Sequence, residues 1–408
     1  SCTMKYNPRI ADVAVGLPDF ARLHPYQPDD EIQGALAMMA ELETSLAAIG
    51  GFSRVTLQPA AGAHGELCGL MMIRAYLADQ HLTRRKVLIP DSAHGTNPAS
   101  CTLNGFEVVQ LPTSEDGTLA LDTVRAAIDD DLAAIMLTNP NTLGLFESHI
   151  AEIADLVRGA GGLVYMDGAN LNAIMGKFRP GIIGVDAMHY NLHKTFGTPH
   201  GGGGPGAGPV GVSERLVPFL PVPTVEQAGG RYRLDYDRPR SIGRVRSFFG
   251  NFGVLLRGWV YLRELGGPGL TRVSELAVLN ANYLRVKLRD FLHVPHPDRC
   301  MHEVVASDHD LKDTGVSTLD IAKRLIDYGY HPPTVYFPLI VHGALMIEPT
   351  ETETPDDLDA FVDALKAIVA EAKETPELLH NAPTITGRGR LDEAQAARKP
   401  HLRYTPKS

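Results

Sequence analysis

Cysteine is scarce and scattered in this sequence of 408 residues. Its four cysteines, at positions 2, 68, 101 and 300, form no CxxC pair and no Cys/His spacing of the kind that binds zinc. This pattern excludes a zinc-ligand framework and favours a reducing compartment. We therefore expect a cytoplasmic protein, and we assign no redox role to Cys2, a lone cysteine near the terminus.

Long apolar runs are absent as well. No stretch approaches the roughly 20 consecutive apolar residues that a membrane-spanning helix needs. The net charge of −10 is spread along the chain rather than gathered into tails, which argues against a broad nucleic-acid surface. The first residues, SCTMKYNPRIADVAVG, include no initiator methionine, signal peptide or transit sequence, so we expect a processed or truncated product. Small molecules and other proteins remain as partners.

Internal repeats of solenoid length are not visible, and the chain instead alternates strand-like and helical patterns. Such alternation predicts a mostly parallel sheet covered by helices on both faces, which is an α/β fold. The predicted strands are residues 86–90, 107–112, 132–138, 162–167, 186–191 and 208–212, and the predicted helices are residues 97–104, 121–128 and 150–159.

The pattern changes near residue 268, and the length of the chain favours two domains. A smaller α+β domain is predicted by helices over 271–294, 317–329 and 356–374 and by strand-like runs over 303–307 and 344–349. We therefore divide the chain into a large domain (1–268), a small C-terminal domain (269–375) and a tail (376–408). The tail has no amphipathic period, so we expect it to lie extended over a surface or a partner chain.

Polar side chains follow four of the predicted strands. In an open α/β sheet, ligands bind outside the carboxyl ends of the strands, so residues at these ends are candidates for a site. The candidates are His94, Asn139, Thr142, Asp167 and Lys194. We expect their four turns to bring a histidine, an amide, a carboxylate and an amine to one crevice.

This set of groups matches the requirements of pyridoxal 5′-phosphate (PLP). Lys194 would supply the amine for covalent attachment, and Asp167 would keep the pyridine nitrogen protonated, which makes the ring a better electron sink. The alternative is that Lys194 is an ordinary surface lysine. The apolar strand before it, with the aromatic residue and glycine-rich turn after it, favours the cofactor interpretation.

A candidate phosphate site lies in the run QPAAGAHGELCGLMMIRAYLAD at residues 58–79, where small residues lead into an apolar-periodic helix. Backbone N–H groups of Ala63, His64 and Gly65 at the start of that helix would face an anion, helped by the helix dipole. The run is neither a Walker loop nor a GxGxxG motif. An ordinary glycine-rich turn therefore remains an equal alternative.

Six stretches of the sequence together resemble one known family. They are SCTMKYNP, AGAHGEL, DSAHGTNPAS, TNPNTLGLFE, YMDGANLNA and HYNLHKTFGTPHGGGGPGAGPVGV. They resemble the C-terminal part of glycine dehydrogenase (decarboxylating), the P-protein of the glycine cleavage system, and specifically its beta-subunit (subunit 2) family. The resemblance runs from the first residue to at least PTETET at 349–354. Family members usually carry several dozen residues before a GSCTMKYNP-like stretch, so we expect a missing N-terminal segment.

The resemblance implies a fold-type I, aminotransferase-like architecture with PLP bound covalently at Lys194. In that family pattern Asp167 would pair with the pyridine nitrogen. Ala169 would contact one face of the ring, and His94 would stack on the other face. His193, directly before the lysine, would reach the phosphate.

The resemblance also implies a reaction and two protein partners. Glycine would lose its carboxylate as carbon dioxide, and its aminomethyl group would pass to the lipoyl-lysine of the H-protein. A homologous alpha subunit without the reactive lysine would complete a heterodimer or heterotetramer, with HPYQ at 24–27 and the tail as contacts. Two alternatives stay open: another PLP-dependent decarboxylase or desulfurase-like lyase, and a cofactor-free regulatory or scaffolding subunit.

Seven glycines crowd residues 201–211, directly after the lysine-bearing turn. Such a run lets backbone pass close to a cofactor, a substrate or a neighbouring chain. We hypothesise that it shapes the mouth through which a lipoyl arm enters, with Gly202 and Gly203 as the positions to test. His189 and His193 stand four apart, which on a helix would suggest a metal site, but the DAMHYN pattern predicts a strand and a turn, so we expect no metal.

Overall fold

A computed structural model of the chain describes residues 5–199, 206–404 and 406. Its largest element is a seven-stranded sheet with the strand order β1-β7-β6-β5-β4-β2-β3. The strands are β1 (Arg54–Thr56), β2 (Lys86–Pro90), β3 (Glu107–Leu111), β4 (Leu132–Thr138), β5 (Leu163–Gly168), β6 (Ala187–Tyr190) and β7 (Val210–Val212). β7 pairs antiparallel with both of its neighbours, and the other pairs are parallel.

The central strands form because their sequences are apolar runs that can be buried on both faces. Every residue of β4 and of β5 is buried. The prediction of a mostly parallel α/β sheet is confirmed, and β2 and β4 have the predicted bounds. The strand expected at 208–212 begins later, because the amide of Gly208 donates to the carbonyl oxygen of Pro59 instead of a sheet partner.

Helices cover the sheet and connect it to the rest of the chain. The helices are α1 (Arg9–Gly16), α2 (Pro18–Ala21), α3 (Gln33–Gly50), α4 (Gly62–Asp79), α5 (Thr96–Leu103), α6 (Leu121–Ala127), α7 (Ile150–Gly159), α8 (Leu192–Thr195), α9 (Phe252–Leu288), α10 (Thr318–Asp327), α11 (Pro355–Glu374), α12 (Glu377–Asn381) and α13 (Glu393–Arg398). Short 3₁₀ turns occur at Asp29–Glu31, Leu171–Ala173, Pro180–Ile183, Glu214–Phe219 and His309–Thr314.

The long helix α9 differs from the predicted helix over 271–294. It begins at Phe252 and continues through the GGPG run at 266–269, where Gly266 has a φ of 59° and interrupts the helical geometry. Glycine and proline at these positions indicate a helix end, but the chain resumes the helix after one residue. As a result α9 contributes buried side chains to the core of the large sheet and also to a second core.

That second core lies beneath a three-stranded antiparallel sheet with the order β10-β12-β11. Its strands are β10 (Val304–Ser307), β11 (Thr334–Val335) and β12 (Ala344–Ile347), and a separate two-stranded antiparallel sheet consists of β8 (Thr224–Ala228) and β9 (Arg231–Asp235). Capping boxes start both covering helices, Ser317 with Asp320 for α10 and Thr354 with Asp357 for α11, so the backbone amides in those first turns have partners. We refer to residues 303–374 as the small unit.

The tail, which we expected to be extended, is helical in part. Helix α12 contacts α10 and α11, and Leu379 is fully buried there. Helix α13 is short and has no buried residue. The described part of the chain contains no helix that is both long and apolar enough to cross a bilayer.

Candidate active site

A cavity of about 940 Å³ is lined by residues of the seven-stranded and the three-stranded sheets and of the turns beside them. Its volume is at the upper end of the range for small-molecule sites, roughly 300–1,000 Å³. Seven of the ten predicted site residues line it: Ala63, His94, Thr142, Asp167, Ala169, His193 and Lys194. The carboxyl ends of the strands therefore meet at one crevice, as the sequence pattern predicts.

Asp167 lies at the end of β5, buried and held by three neighbours. Asn97 Nδ2 donates to its Oδ2 at 3.1 Å, the amide of Ala169 donates to its Oδ1 at 2.9 Å, and His189 Nε2 lies 3.1 Å from the same oxygen. Burial opposes ionisation of Asp167, but the charge and hydrogen bond of His189 outweigh it and hold the pKa of this carboxyl well below its usual range. Asp167 is therefore an anion at neutral pH.

The sequence analysis considered His189 only as a possible metal ligand and missed its contact with Asp167. His189 lies in β6 directly opposite Asp167 of β5, and its Nδ1 is 2.8 Å from the hydroxyl of Tyr165. Burial lowers the pKa of His189. The adjacent Asp167 carboxylate raises this pKa by more than burial lowers it, so the net shift is upward. The strand-and-turn prediction is confirmed here, because His189 is in β6 whereas His193 is in α8.

Glu66 is a second buried carboxyl beside this pair. It accepts hydrogen bonds from Thr96 Oγ1 at 2.8 Å and from Ser100 Oγ at 3.1 Å. Burial raises the pKa of Glu66, and the negative charge of Asp167 raises it further. Since two adjacent buried anions repel each other, the charge on Asp167 makes ionisation of Glu66 less favourable.

Lys194 lies in α8, a single helical turn between β6 and the glycine-rich run. The amides of Lys194 and Thr195 both donate to the carbonyl oxygen of Asn191, which starts the turn. Of the glycines after it, Gly202 and Gly203 lie outside the described residues. At Gly208 a Cβ would overlap the carbonyl oxygen of Ala61, so this glycine allows a close approach to the chain's own backbone at the start of α4.

The start of α4 faces the same cavity. The amides of Gly62, Ala63 and His64 precede the first intrahelical hydrogen bond, which runs from the Gly65 amide to the Ala61 carbonyl oxygen at 2.9 Å. Gly65 was therefore wrong as an amide donor to an anion, because its N–H is already used within the helix. The amides of Gly62, Ala63 and His64, the three residues before Gly65, precede this hydrogen bond and can therefore face an anion.

Two further predicted residues lie outside the cavity wall. The ring of His64 turns back onto its own chain, where its Nδ1 accepts a hydrogen bond from the Ala60 amide at 3.2 Å. Asn139 is fully buried, and its Oδ1 accepts from the Glu147 amide at 3.0 Å, which stabilises the turn after β4. The side chains of His64 and Asn139 therefore have local structural roles, whereas Thr142 lines the cavity.

Three other residues surround the space between Asp167 and Lys194. His94 reaches the cavity from the turn after β2, and its ring stands edge-on to Phe337 with 5.4 Å between centroids. Ala169 and His193 line the cavity from the turns after β5 and β6. The sequence analysis also missed Glu303 of the small unit, a buried wall residue whose pKa is raised well above its usual range by burial and then by Glu348.

The cavity wall also carries polar atoms that suit a polar ligand. Thr138 Oγ1 and Asn191 Oδ1 are buried, and neither has a hydrogen-bond partner within the part of the chain that the structure describes. Such atoms are costly unless a ligand or water satisfies them. A cofactor with a charged ring nitrogen, a hydroxyl and a phosphate would suit this donor and acceptor set, with Asp167 as the anion and the start of α4 as the anion-binding end.

Gly168 places Asp167 next to His189. A Cβ at Gly168 would overlap the carbonyl oxygen of His189, so replacement by alanine forces β5 and β6 apart. We expect Gly168→Ala to lower the free energy of unfolding by about 1–3 kcal/mol, the usual cost of overpacking. Denaturant titration measures this.

The matched control for that prediction is Gly159→Ala at the end of α7, where an added Cβ meets nothing within 4 Å. We expect this replacement to change stability by less than about 1 kcal/mol. Equal losses in the two variants would contradict the steric argument.

The mostly parallel sheet has a carboxylate at the end of β5 and a lysine in the turn after the neighbouring strand β6, and the chain has the architecture of the fold-type I PLP-dependent enzymes. Residues 65–203 match the model of the aminotransferase class-V family, and residues 273–383 match that of the glycine dehydrogenase C-terminal domain. The chain belongs to the glycine dehydrogenase (decarboxylating) subunit 2 family, as its resemblance indicated.

Two curated relatives illustrate this membership. The probable glycine dehydrogenase (decarboxylating) subunit 2 of Caldanaerobacter subterraneus subsp. tengcongensis is 59% identical over 99% of this chain and 84% of its own length. The protein of the same name from Alkaliphilus oremlandii is 59% identical over 98% of this chain and 82% of its own length.

Solved structures show the same fold. An inhibitor-bound glycine decarboxylase (P-protein) of the glycine cleavage system superposes with a TM-score of 0.77 at 21% identity, over 90% of this chain and 84% of the other. A NifS-like protein superposes with a TM-score of 0.70 at 15% identity, over 90% of this chain and 97% of the other. These likenesses confirm the architecture.

Proposed function

We propose that the chain binds PLP covalently at Lys194, releases carbon dioxide from glycine and passes the aminomethyl group to the lipoyl-lysine of the H-protein. The bound cofactor supplies an electron sink for the negative charge that decarboxylation leaves on the substrate's α-carbon. One observation carries the proposal: Asp167 at the end of β5 and Lys194 in the turn after the neighbouring strand β6 line one cavity.

Asp167 would hold the proton on the ring nitrogen. Its low pKa keeps it negative at neutral pH, and the hydrogen bonds from Asn97 and the Ala169 amide fix the direction of its oxygens. His189 Nε2 lies 3.1 Å from the Asp167 carboxylate, which raises the pKa of His189 although burial alone would lower it. The anion is therefore oriented before any ligand enters, which is the usual source of electrostatic stabilisation in enzymes.

The start of α4 would bind the phosphate. The amides of Gly62, Ala63 and His64 point out of the helix N-terminus, where the helix dipole favours negative charge. His193 lines the cavity from α8 and would contribute a ring nitrogen. Ala169 and His94 would contact the two faces of the pyridine ring, as the family pattern implies.

The small unit provides an apolar wall that suits a lipoyl arm, which is an alkyl chain ending in a cyclic disulfide. This part of the cavity is lined by Pro332, Pro333, Phe337, Met346 and Ile347. Glycine has no side chain to contact, so specificity would come from excluding larger substrates near Lys194.

The family resemblance extends the proposal to an alpha subunit and to a cytoplasmic location. Tyr26 of the HPYQ segment is 71% exposed, and its ring centroid lies 5.3 Å from that of Phe248, which is 43% exposed. Exposed aromatic pairs are common at subunit contacts, so this segment remains our candidate for one. Cys68, Cys101 and Cys300 are free and buried, in keeping with a reducing compartment.

Borohydride reduction followed by peptide mass spectrometry tests the attachment site. The purified chain is supplied with PLP, reduced and digested. We expect the reduced cofactor's mass on the peptide that contains Lys194, together with loss of the visible absorbance. Modification confined to other lysines would contradict the proposal.

Glycine–bicarbonate exchange, assayed with the alpha subunit and lipoylated H-protein, tests the reaction. We expect exchange with glycine and none with larger amino acids. Turnover of cysteine in place of glycine would favour a desulfurase-like lyase. A colourless chain that borohydride leaves unchanged would favour a cofactor-free subunit.

A further inference from the structure

Lys5, in the SCTMKYNP stretch, has an ammonium group that is almost fully buried. Its side chain is 1% exposed, and Nζ lies 2.8 Å from Glu351 Oε1. Nζ also donates to Asn172 Oδ1 at 2.6 Å and to the main-chain oxygen of Thr195 at 2.9 Å, and it lies 5.5 Å from the ring centroid of Tyr261. One cation therefore joins segments that are far apart in the sequence.

Three of the four acceptors of Lys5 belong to segments beside the cofactor site, and the fourth, Tyr261 Oη at 3.4 Å, lies in α9. Thr195 directly follows Lys194 and ends α8. Asn172 lies in the 3₁₀ turn after β5, the strand that ends with Asp167 and Gly168. Glu351 lies in the small unit between β12 and α11, so the network also reaches the opposite wall of the cavity.

Helix α8 depends on such outside contacts. A helix of four residues is far below the length that is stable alone, and its last carbonyl groups have no partners within the helix. Thr195 is fully buried, so its carbonyl oxygen needs a partner from elsewhere in the protein. Lys5 provides that partner, and no other part of the mechanism above uses Lys5.

We propose that Lys5 is a positioning residue for Lys194: by holding the Thr195 carbonyl against Asn172 and Glu351, it fixes the turn from which the Lys194 amine enters the cavity. The functional meaning of this role rests on Lys194 as the proposed attachment site. The effect of the contact between Lys5 and Thr195 can be measured as the chemical reactivity of the Lys194 amine, which requires no bound cofactor.

The variant must separate positioning from stability. Lys5→Met alone would leave the Glu351 carboxylate buried without its cation, which destabilises proteins strongly. The double variant Lys5→Met/Glu351→Met removes both charges, and apolar replacement of a buried ion pair usually preserves stability. The Thr195 carbonyl then lacks its donor while the fold is retained.

The measurement is acylation of lysine amines in the full-length chain before PLP is supplied, followed by peptide mass spectrometry. Lys177, which is 51% exposed and paired with Glu275, is the internal reference. In the double variant we expect Lys194 to react about tenfold faster relative to Lys177, the factor that loss of one charge-assisted hydrogen bond produces. We expect the dissociation constant for PLP, measured by fluorescence titration, to rise by about the same factor.

Glu351→Gln is the matched control. It removes the negative charge but keeps an oxygen acceptor, and Lys5 keeps N–H groups that can donate to the Thr195 carbonyl even as a neutral amine. Because this variant also breaks a buried ion pair, its free energy of unfolding is measured alongside to confirm that the chain is folded. We expect the reactivity of Lys194 to match that of the unaltered chain. The proposal is overturned if the double variant leaves the Lys194-to-Lys177 ratio unchanged, or if Glu351→Gln raises that ratio as much as the double variant does.

Discussion

Lys194→Ala is expected to abolish covalent cofactor attachment and to lower glycine–bicarbonate exchange by at least about 10³-fold. Alanine has no amine, so the cofactor cannot be held covalently or exchanged onto the substrate. The cavity itself should persist, because the Lys194 amide donates to Asn191 through the backbone and needs no side chain. The measurements are the visible absorbance after addition of PLP and the exchange assay with lipoylated H-protein.

Lys177→Ala is the control for that experiment, since Lys177 is an exposed lysine whose ion pair with Glu275 lies away from the cavity. We expect this variant to keep both absorbance and exchange. Retention of exchange by Lys194→Ala would refute the assignment of the attachment site. If Lys177→Ala also lost the visible absorbance and the glycine–bicarbonate exchange, these measurements would be responding to surface charge.

Asp167→Asn is expected to separate cofactor binding from catalysis. Lys194 remains, so PLP should still attach and give visible absorbance. The ring nitrogen, however, would face a neutral amide instead of an anion, which weakens the electron sink. We expect exchange to fall by about 10²–10⁴-fold, a range typical for loss of a group that handles a catalytic proton.

The control for Asp167→Asn is Asp129→Asn, which neutralises an exposed aspartate in a surface pair with Lys86. That variant should exchange at the unaltered rate. A similar loss in both variants would point to a general effect of charge. Full activity in Asp167→Asn would rule out its role at the ring nitrogen.

Much of the architecture could be predicted because buried parallel strands have simple sequences. The runs that form β2 and β4 are apolar and end in turn residues, so their bounds followed from the pattern. The rule that ligands bind at the carboxyl ends of such strands then placed Asp167 and Lys194 in one crevice. Motifs that resemble a known family supplied the roles that we propose for individual residues.

The rest could not be predicted because it depends on which residues face each other across strands. The pairing of Asp167 with His189 follows from the register of β5 and β6, and no local pattern reveals that register. Gly65 was a wrong candidate for a related reason. A shift of one residue in the helix start decides which amides are used within α4.

The opposite walls of the cavity come from distant parts of the chain, so the ribosome completes one wall before the other. Asp167 and Lys194 leave the ribosome well before Phe337 and Met346, and domains fold in the order in which they emerge. A nascent chain would thus possess Asp167 and the proposed attachment lysine while the opposite side of the cavity is still open to bulk water. Shielding of the reactive centre is completed only when the last third of the polypeptide folds over it.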